Sequence, residues 1–305
     1  MESEFLDWLR QRLPASPLAE LGLVDDAAML RWHDRSDLMA TVDVLTDGVD
    51  FRLDEIDSRR AGRKALAVNL SDAAAMACRP VAALVGLVVP RIGGLRLAQE
   101  IYEGLLPLAE RYGVTIAGGD TNSWDGPLVI SITLLAQATP RGPLRRSGAV
   151  AGDMIVVTGA FGGSILGRHL DFEPRVHEAL LLHERYELHA GIDTSDGLSL
   201  DLARVAAASG CGAELDLARV PVAPAAHELA QKQVDGNSAL DHALADGEDF
   251  ELILAVPPEE ARRMQREQPL GVPLAIVGQF VAEPGLWQVD AGGRRDKLVP
   301  RGYEH

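Results

Sequence analysis

Apolar residues recur with two different periods along the first half of the chain, and the changes of period predict alternating strands and helices. The segments 38–45 (LMATVDVL) and 81–90 (VAALVGLVVP) are predicted strands, the first ending in the polar turn TDGVD. Apolar side chains recur at helical spacing over 58–78 and over 95–113, which predicts two helices, the second capped by Gly113. The stretches VTIAGGD and PLVISITLLAQA that follow are read as further strands.

A segment rich in Pro, Gly and Arg, 139–153 (TPRGPLRRSGAVAGD), predicts a boundary between two domains, 1–138 and 139–305. Beyond it the same alternation returns: DMIVVTG, AELDL and FELILAV are predicted strands, with a glycine-rich turn and helices between them. The pattern predicts an α/β (α+β) fold with two domains of similar size.

The first residues predict an amphipathic helix that packs on the body of the protein, with Phe5, Leu6, Leu9 and Leu13 on one side. They do not resemble a secretory signal, and no apolar run is long enough for a transmembrane helix. The cysteines Cys78 and Cys211 lie among small or apolar residues, which argues against a disulfide framework and favours the cytoplasm.

The 305 residues carry a formal net charge of −16, which argues against nucleic acid as a partner because phosphate contacts need Lys and Arg. The charge does not exclude a small phosphorylated ligand, provided that metal ions neutralise its phosphates.

The stretch GIDTSDGLSLDL (191–202) carries three carboxylates among small and apolar residues. An apolar stripe that begins at Leu198 predicts a helix that ends near Gly210, so DTSDG lies at its N-terminus. Ser195 or Asp196 is a candidate N-cap, an interpretation that leaves Asp193 unexplained.

Carboxylates recur in the same kind of setting elsewhere in the chain. They are Asp25, Asp26, Asp43, Asp72 and Asp120. Each alone is compatible with a cap or a turn, but their recurrence at strand ends and helix starts favours a ligand crevice. Carboxylate oxygens are suitable ligands for Mg²⁺, and the sequence has no cluster of Cys and His residues with the spacing of a zinc site. The glycine-rich turns GGDTN and GAFGGS offer N–H groups to phosphates, whereas P-loop and protein-kinase motifs are missing.

Eight motifs together resemble one family. They are DDAA (25–28), DVLTDGVDF (43–51), GRKALAVNLSDAAAMACRP (62–80), GGDT (118–121), RSGAVAGD (146–153), DTSDGLSLDL (193–202), GEDFEL (247–252) and GYEH (302–305). The chain resembles the thiamine-monophosphate kinases, in the superfamily of aminoimidazole ribonucleotide synthetase. The resemblance implies Mg²⁺-dependent, direct in-line transfer of the γ-phosphoryl group of ATP to thiamine monophosphate, several Mg²⁺ ions, and a homodimer formed through the N-terminal sheet.

The resemblance also implies roles for individual residues. The implied metal ligands are Asp26, Thr41, Val42, Asp43, Asp72, Asp120, Asp193 and Asp196. The implied ATP-site residues are Gly119, Asp120, Arg146 and Ser195, and the implied substrate-site residues are Asp50, Glu248 and Tyr303. Val42 stands where the family has a hydroxyl residue, so only its backbone oxygen is available. No general base is implied, since a phosphate monoester acceptor is largely ionised at neutral pH.

The family usually has His where this chain has Asp50. A carboxylate there repels phosphate but is able to accept a hydrogen bond from an amino group of the pyrimidine ring. Alternatives therefore stay open: a related ATP-dependent enzyme with another acceptor, a catalytically silent binder of nucleotide or thiamine, and a Mg²⁺-dependent phosphatase. Composition alone favours a solvated linker charge for Arg146, whereas the match to the RSGAVAGD motif favours a phosphate clamp.

Overall fold

The computed structural model describes residues 8–9, 11–12, 19–21, 29–30, 37–232 and 236–303. Most of the predicted N-terminal helix, including Phe5, Leu6 and Leu13, lies outside this part of the chain, as does the predicted metal ligand Asp26. The described chain forms two compact units. The first runs to Ala73 and resumes over Cys78–Gly142, and the second comprises Ala74–Ala77 and the residues from Pro143 onward. The division into domains 1–138 and 139–305 stays a prediction.

The first unit contains a four-stranded sheet and a short antiparallel pair of strands. The strands are β1 (Ala19–Leu21), β2 (Met29–Leu30), β3 (Leu38–Thr46), β4 (Arg79–Pro90), β5 (Thr115–Trp124) and β6 (Val129–Gln137). The sheet has the order β3-β6-β4-β5, in which only the β4–β5 pair is parallel. The predicted strands are thus confirmed, but the GGDTN segment is part of β5 and not a turn.

Two helices complete the first unit: α1 (Ser58–Ala75) and α2 (Gly94–Tyr112). They pack in close contact at two glycines, because a Cβ on Gly62 or Gly104 would overlap a backbone carbonyl of the facing helix. Helix α2 ends as predicted, with Gly113 in the left-handed region. Helix α1 ends three residues before its predicted limit, because Ala77 takes a positive φ and the next N–H donates to the Ala73 carbonyl.

The second unit contains a seven-stranded mixed sheet of order β13-β12-β9-β11-β7-β10-β8. Its strands are β7 (Met154–Thr158), β8 (Ala190–Asp193), β9 (Gly212–Asp216), β10 (Leu252–Val256), β11 (Leu274–Val281), β12 (Gly285–Val289) and β13 (Arg295–Lys297). Its helices are α3 (Arg168–Asp171), α4 (Val176–Arg185), α5 (Leu198–Ser209), α6 (Pro224–Lys232), α7 (Ala239–Ala245) and α8 (Pro258–Glu267).

The apolar core of the second unit forms where α5 packs on this sheet, with side chains such as Leu198, Leu202 and Val205 almost fully buried. The strand β10 is buried along its whole length, which its continuous apolar run LILAV requires. Within the described residues, no helix combines the length and the hydropathy needed to span a membrane.

Candidate functional site

The first unit brings together a hydroxyl and two of the carboxylates that the sequence singles out. Thr41 and Asp43 lie two residues apart on β3, so they point to the same face of the sheet, and Asp72 lies on α1. The Thr41 hydroxyl donates a hydrogen bond to Oδ2 of Asp72. Oδ2 of Asp43 is buried, and the described part of the chain supplies it with no hydrogen-bond donor.

The environment of Asp43 is unfavourable for a lone carboxylate. Burial, followed by the negative charges of Asp72 and Asp50, raises the pKa of Asp43 to about 7. A divalent cation held by Asp43 and Asp72 would satisfy the buried oxygen and remove the repulsion, so these two residues fit Mg²⁺. Among the described residues, no three His, Cys, Asp or Glu side chains are grouped as a ready-made metal cage.

The register of the sheet separates Asp120 from Asp43. Asp43 lies in one row with Ile132 and Val85, and Gly119 of β5 continues that row. Asp120 lies in the next row, and successive residues of a strand point to opposite faces. The exposed carboxylate of Asp120 accepts the N–H of Thr121.

The predicted metal ligand Val42 and the predicted ATP-site residue Gly119 lie on different strands of this sheet. Val42 is exposed, with 59% of its surface accessible, on the face opposite to Asp43. Gly119 allows β4 and β5 to approach closely, because a Cβ there would overlap the backbone carbonyl of Val85.

Asp50 stabilises the turn that follows β3. Its carboxylate accepts the N–H of Thr46 at 2.6 Å, and its backbone carbonyl accepts a hydrogen bond from Nζ of Lys64 at 2.8 Å. Lys64 is fully buried on α1. Sequence reasoning missed this lysine, although a cation directly before the apolar run ALAV in GRKALAVNLSD was a signal for it.

In the second unit, DTSDG forms the end of β8 and the loop before α5, with Asp193 buried at the end of the strand. The proposed N-cap role of Ser195 or Asp196 is wrong. The N-cap residue is Gly197, and no side chain among the described residues caps the helix at this position. Instead, Oδ2 of Asp201 accepts hydrogen bonds from the N–H groups of Asp196 and Gly197, both at 3.0 Å. A carboxylate from inside the first turn thus satisfies the loop amides.

Arg204 provides a positive charge for this acidic loop. Its Nη1 contacts Oδ2 of Asp196 and donates to Oδ1 of Asp201 at 2.7 Å. Burial, the largest effect, raises the pKa of Asp201 to about 6. Sequence reasoning missed Arg204, although its position three residues after Asp201 on a helix was a usable signal. Asp196 as a metal ligand stays a prediction, and the carboxylate is paired with Arg204 in this structure.

The GEDFEL segment is held against DTSDG by backbone hydrogen bonds. The N–H of Thr194 donates to the carbonyl of Glu251 at 2.8 Å, and the N–H of Phe250 donates to the carbonyl of Thr194 at 2.9 Å. The N–H of Glu248 donates to the carbonyl of Ser195 at 2.7 Å. Glu248 and Phe250 have φ angles of 62° and 51°, a left-handed backbone that these bonds hold in place.

The side chains of GEDFEL have different environments. A carboxylate oxygen of Glu248 lies 3.2 Å from Nδ1 of His169. Glu251 is buried and takes part in a charged network with Thr158, Arg168 and Arg175, in which both arginines contact its carboxylate. Because two guanidinium groups and a hydroxyl satisfy Glu251, we interpret it as structural.

The amides of GAFGGS do not form the anion site that the sequence predicts. The N–H of Gly162 donates to Asp249 at 2.8 Å, and the N–H of Gly163 donates to Asp246 at 2.7 Å. Protein carboxylates therefore occupy the two amides that a phosphate would need. The signal in the sequence was the acidic segment DGEDFEL, of which Asp246 and Asp249 reach the glycine-rich turn only in the folded chain.

The remaining predicted site residues lie at the surface of the second unit. Arg146 is exposed, and its backbone carbonyl accepts a hydrogen bond from the Ser209 hydroxyl at 3.3 Å. Tyr303 is 53% exposed, and its N–H donates to the carbonyl of Asp196 at 2.9 Å. Ser195 is partly buried in the loop between β8 and α5.

Comparison with known proteins places the chain in a family. Residues 24–138 match the family described as AIR synthase related protein, N-terminal domain, and residues 150–287 match the corresponding C-terminal domain. The thiamine-monophosphate kinase of Rhodopirellula baltica is 46% identical over 312 residues, which cover 100% of this chain and 97% of that protein.

Solved structures agree with this placement. The thiamine-monophosphate kinase of Stenotrophomonas maltophilia superposes with a TM-score of 0.79 at 29% identity, covering 94% of both chains. AaThiL complexed with AMPPCP and TMP superposes with a TM-score of 0.77 at 25% identity, covering 100% of this chain and 96% of that one. The chain belongs to the AIR synthase-related proteins and, among them, to the thiamine-monophosphate kinase family.

Proposed function

We propose that this protein is an ATP-dependent kinase that transfers the γ-phosphoryl group to the phosphate of thiamine monophosphate, giving thiamine diphosphate and ADP. The observation that carries the proposal is the 46% identity, over the whole chain, to a thiamine-monophosphate kinase. The complex of AaThiL with AMPPCP and TMP supports the same pair of ligands.

Mg²⁺, when bound, supplies the positive charge that two phosphate groups need in order to approach each other in an acidic protein. Asp43 and Asp72 are its proposed ligands in the first unit, because their charges repel each other and Asp43 has an unsatisfied buried oxygen. Asp26, Thr41, the Val42 carbonyl and Asp120 are further proposed metal ligands in the first unit. Asp193 and Asp196 are proposed metal ligands in the second unit.

The proposed ATP-site residues are Gly119, Asp120, Arg146 and Ser195. Arg146 is exposed, so its guanidinium is accessible to a phosphate, and its planar fork suits two parallel hydrogen bonds. The proposed thiamine-site residues are Asp50, Glu248 and Tyr303. The acceptor phosphate is already ionised near neutral pH, so the chain needs no side chain to remove a proton.

We propose a homodimer formed through the four-stranded sheet of the first unit. One face of this sheet exposes large apolar side chains, among them Val42, Val44 and Leu84. Val42, Thr133 and Leu84 form one row across three strands, so the exposed apolar side chains of Val42 and Leu84 lie on the same face, on either side of Thr133. An apolar patch of this kind is typical of a protein interface.

We propose the cytoplasm as the compartment in which the enzyme works. Cys78 and Cys211 are both buried thiols, and burial raises the pKa of Cys78 to about 11, which keeps it protonated. Buried thiols of this kind are compatible with a reducing environment. The charge of −16 is unsuited to a nucleic-acid surface, so the proposed partners are small molecules and a second copy of the chain.

The test is direct product analysis. Purified protein is incubated with ATP, Mg²⁺ and thiamine monophosphate, and thiamine diphosphate and ADP are quantified together. We expect equal amounts of both products, none with EDTA, and none with thiamine in place of its monophosphate. ADP with inorganic phosphate and no thiamine diphosphate would instead indicate a phosphatase, and neither product from a folded, ATP-binding protein would contradict the proposal.

A further inference from the structure

The last described residues of the chain, Arg301–Tyr303, form a strap that is hydrogen-bonded to the start of α5. The Ser199 hydroxyl donates to the carbonyl of Arg301 at 2.8 Å and accepts the N–H of Arg301 at 2.9 Å. The N–H of Tyr303 donates to the carbonyl of Asp196 at 2.9 Å. Three hydrogen bonds thus bind a three-residue segment to the loop and the first turn of the helix.

Ser199 is almost completely buried, with 1% of its surface accessible. A serine hydroxyl can bond to backbone groups close to it in the chain, whereas this hydroxyl binds a residue 102 positions away. Because the strap satisfies both its donor and its acceptor, removal of the hydroxyl leaves both polar groups of Arg301 without this partner.

Gly302 allows the strap to approach. A Cβ at Gly302 would overlap the carbonyl oxygen of Asp196 and would lie 2.9 Å from a side-chain carbon of Leu200. Real Cβ atoms do not come this close to other atoms, so any side chain at this position forces the strap away from the loop. Arg301 of the strap also forms a salt bridge of 2.5 Å with Asp241.

Two successive carbonyls of the DTSDG loop bind the two residues of the second unit proposed to contact thiamine. The carbonyl of Ser195 accepts the N–H of Glu248, and the next carbonyl, that of Asp196, accepts the N–H of Tyr303. The positions of Glu248 and Tyr303 are therefore fixed relative to one short loop, and Tyr303 depends in addition on Ser199.

We propose that Ser199 and Gly302 are positioning residues for the thiamine substrate, acting through the backbone of Tyr303. This inference rests on the proposed function, since it assigns the strap to the substrate side of that reaction. Neither residue needs to touch the substrate: Ser199 fixes the strap, and Gly302 lets it lie against the loop.

Steady-state kinetics of Ser199→Ala and Gly302→Ala test the proposal. The loss of two hydrogen bonds in Ser199→Ala is expected to raise the KM for thiamine monophosphate about fivefold to tenfold, with less than about a twofold change in kcat and in the KM for ATP. The KM of the double variant for thiamine monophosphate should be no higher than that of the more impaired single variant, because both changes release the same strap.

Ser58→Ala is the matched control, since it also removes a side-chain hydroxyl that makes a hydrogen bond, here to Glu100. This variant should leave kcat and the KM values for thiamine monophosphate and ATP unchanged. An unaltered KM for thiamine monophosphate in both strap variants would overturn the proposal. A uniform fall in kcat, with both KM values unchanged and a lower melting temperature, would also overturn it, because that result indicates a purely structural role.

Amide hydrogen exchange separates failure of the strap from failure of the proposed function. In Ser199→Ala the amide of Arg301 loses its acceptor, so we expect its exchange to be at least about fivefold faster than in the parent protein. Unchanged exchange in an active enzyme would overturn the role of Ser199 alone. Absence of thiamine diphosphate from the parent protein would overturn the proposed function and the substrate role of the strap, whatever the exchange rates.

Discussion

The Thr41 hydroxyl on β3 donates a hydrogen bond to the carboxylate of Asp72 on α1, 31 residues further along the chain. Asp43, two residues after Thr41, faces the same side of the sheet with a buried oxygen that has no donor in the described part of the chain. The hydroxyl thus binds one carboxylate, whereas Oδ2 of the other has no such donor among the described residues and lies near the negative charges of Asp72 and Asp50. A cation is the group that this arrangement needs.

Asp43→Asn and Asp72→Asn should each lower kcat by about 100-fold or more, because the charge that holds the cation beside the reacting phosphates is lost. The metal-free melting temperature of Asp43→Asn should stay the same or rise, because the substitution removes a buried charge. Turnover and calorimetry without metal measure the two effects. Asp125→Asn, at an exposed position of the same unit, is the control; near-normal turnover in both site variants would refute the metal assignment.

Asp50→Ala should lower the free energy of unfolding by about 1 kcal/mol, because the N–H of Thr46 loses its acceptor. Asp50→Asn keeps an oxygen acceptor in place and should retain most of that stability. Urea unfolding of both variants measures the difference. If Asp50→Ala is as stable as the parent protein but binds thiamine monophosphate more weakly, the carboxylate acts on the substrate and not on the turn.

Stability should depend on pH through Asp249. Burial is the main reason that its pKa rises to about 7 from an ordinary value of 3.8. Between these values the folded protein binds more protons at this site than the unfolded chain does, so the contribution of Asp249 to stability falls as the pH rises.

Asp249→Asn removes this titration and keeps an oxygen to accept the N–H of Gly162. The variant should therefore gain stability relative to the parent protein as the pH rises from about 4 to about 7, by at most about 1.4 kcal/mol per pH unit. Urea unfolding at several pH values, with the difference between the two proteins plotted, measures the effect. A constant difference would show that the pKa of Asp249 is the same in the folded and the unfolded protein, which would contradict the raised value.

Leu84→Lys should weaken the proposed dimer, because it places a charge on the sheet face that exposes the apolar side chains of Leu84 and Val42. Leu84 is 39% exposed in the single chain, so the folded protomer should tolerate the lysine. Light scattering after gel filtration should show a lower mass for the variant than for the parent protein. The same charge introduced at exposed Ile92 serves as the control, and an unchanged mass for Leu84→Lys would remove this face from the interface.

The periodicity of apolar residues predicted most of the strands and helices, because strands and helices each bury one side of a regular repeat. The residues at which these strands and helices end depended on local backbone geometry, which the apolar periodicity does not contain. Helix α1 ends at Ala75 because Ala77 adopts a left-handed conformation, and GGDTN is part of β5 because Gly119 allows the strand to lie against Val85.

The sequence by itself determined the class of fold, the recurrent carboxylates and the family, since these depend on residue types and their spacing along the chain. Only the tertiary structure decided the partner of each group. Asp196 is paired with Arg204, the amides of Gly162 and Gly163 are bound by Asp249 and Asp246, and Ser199 holds Arg301. The physical reason is that hydrogen bonds and charge interactions act over a few ångströms in space, between residues that can lie up to 102 positions apart in the chain.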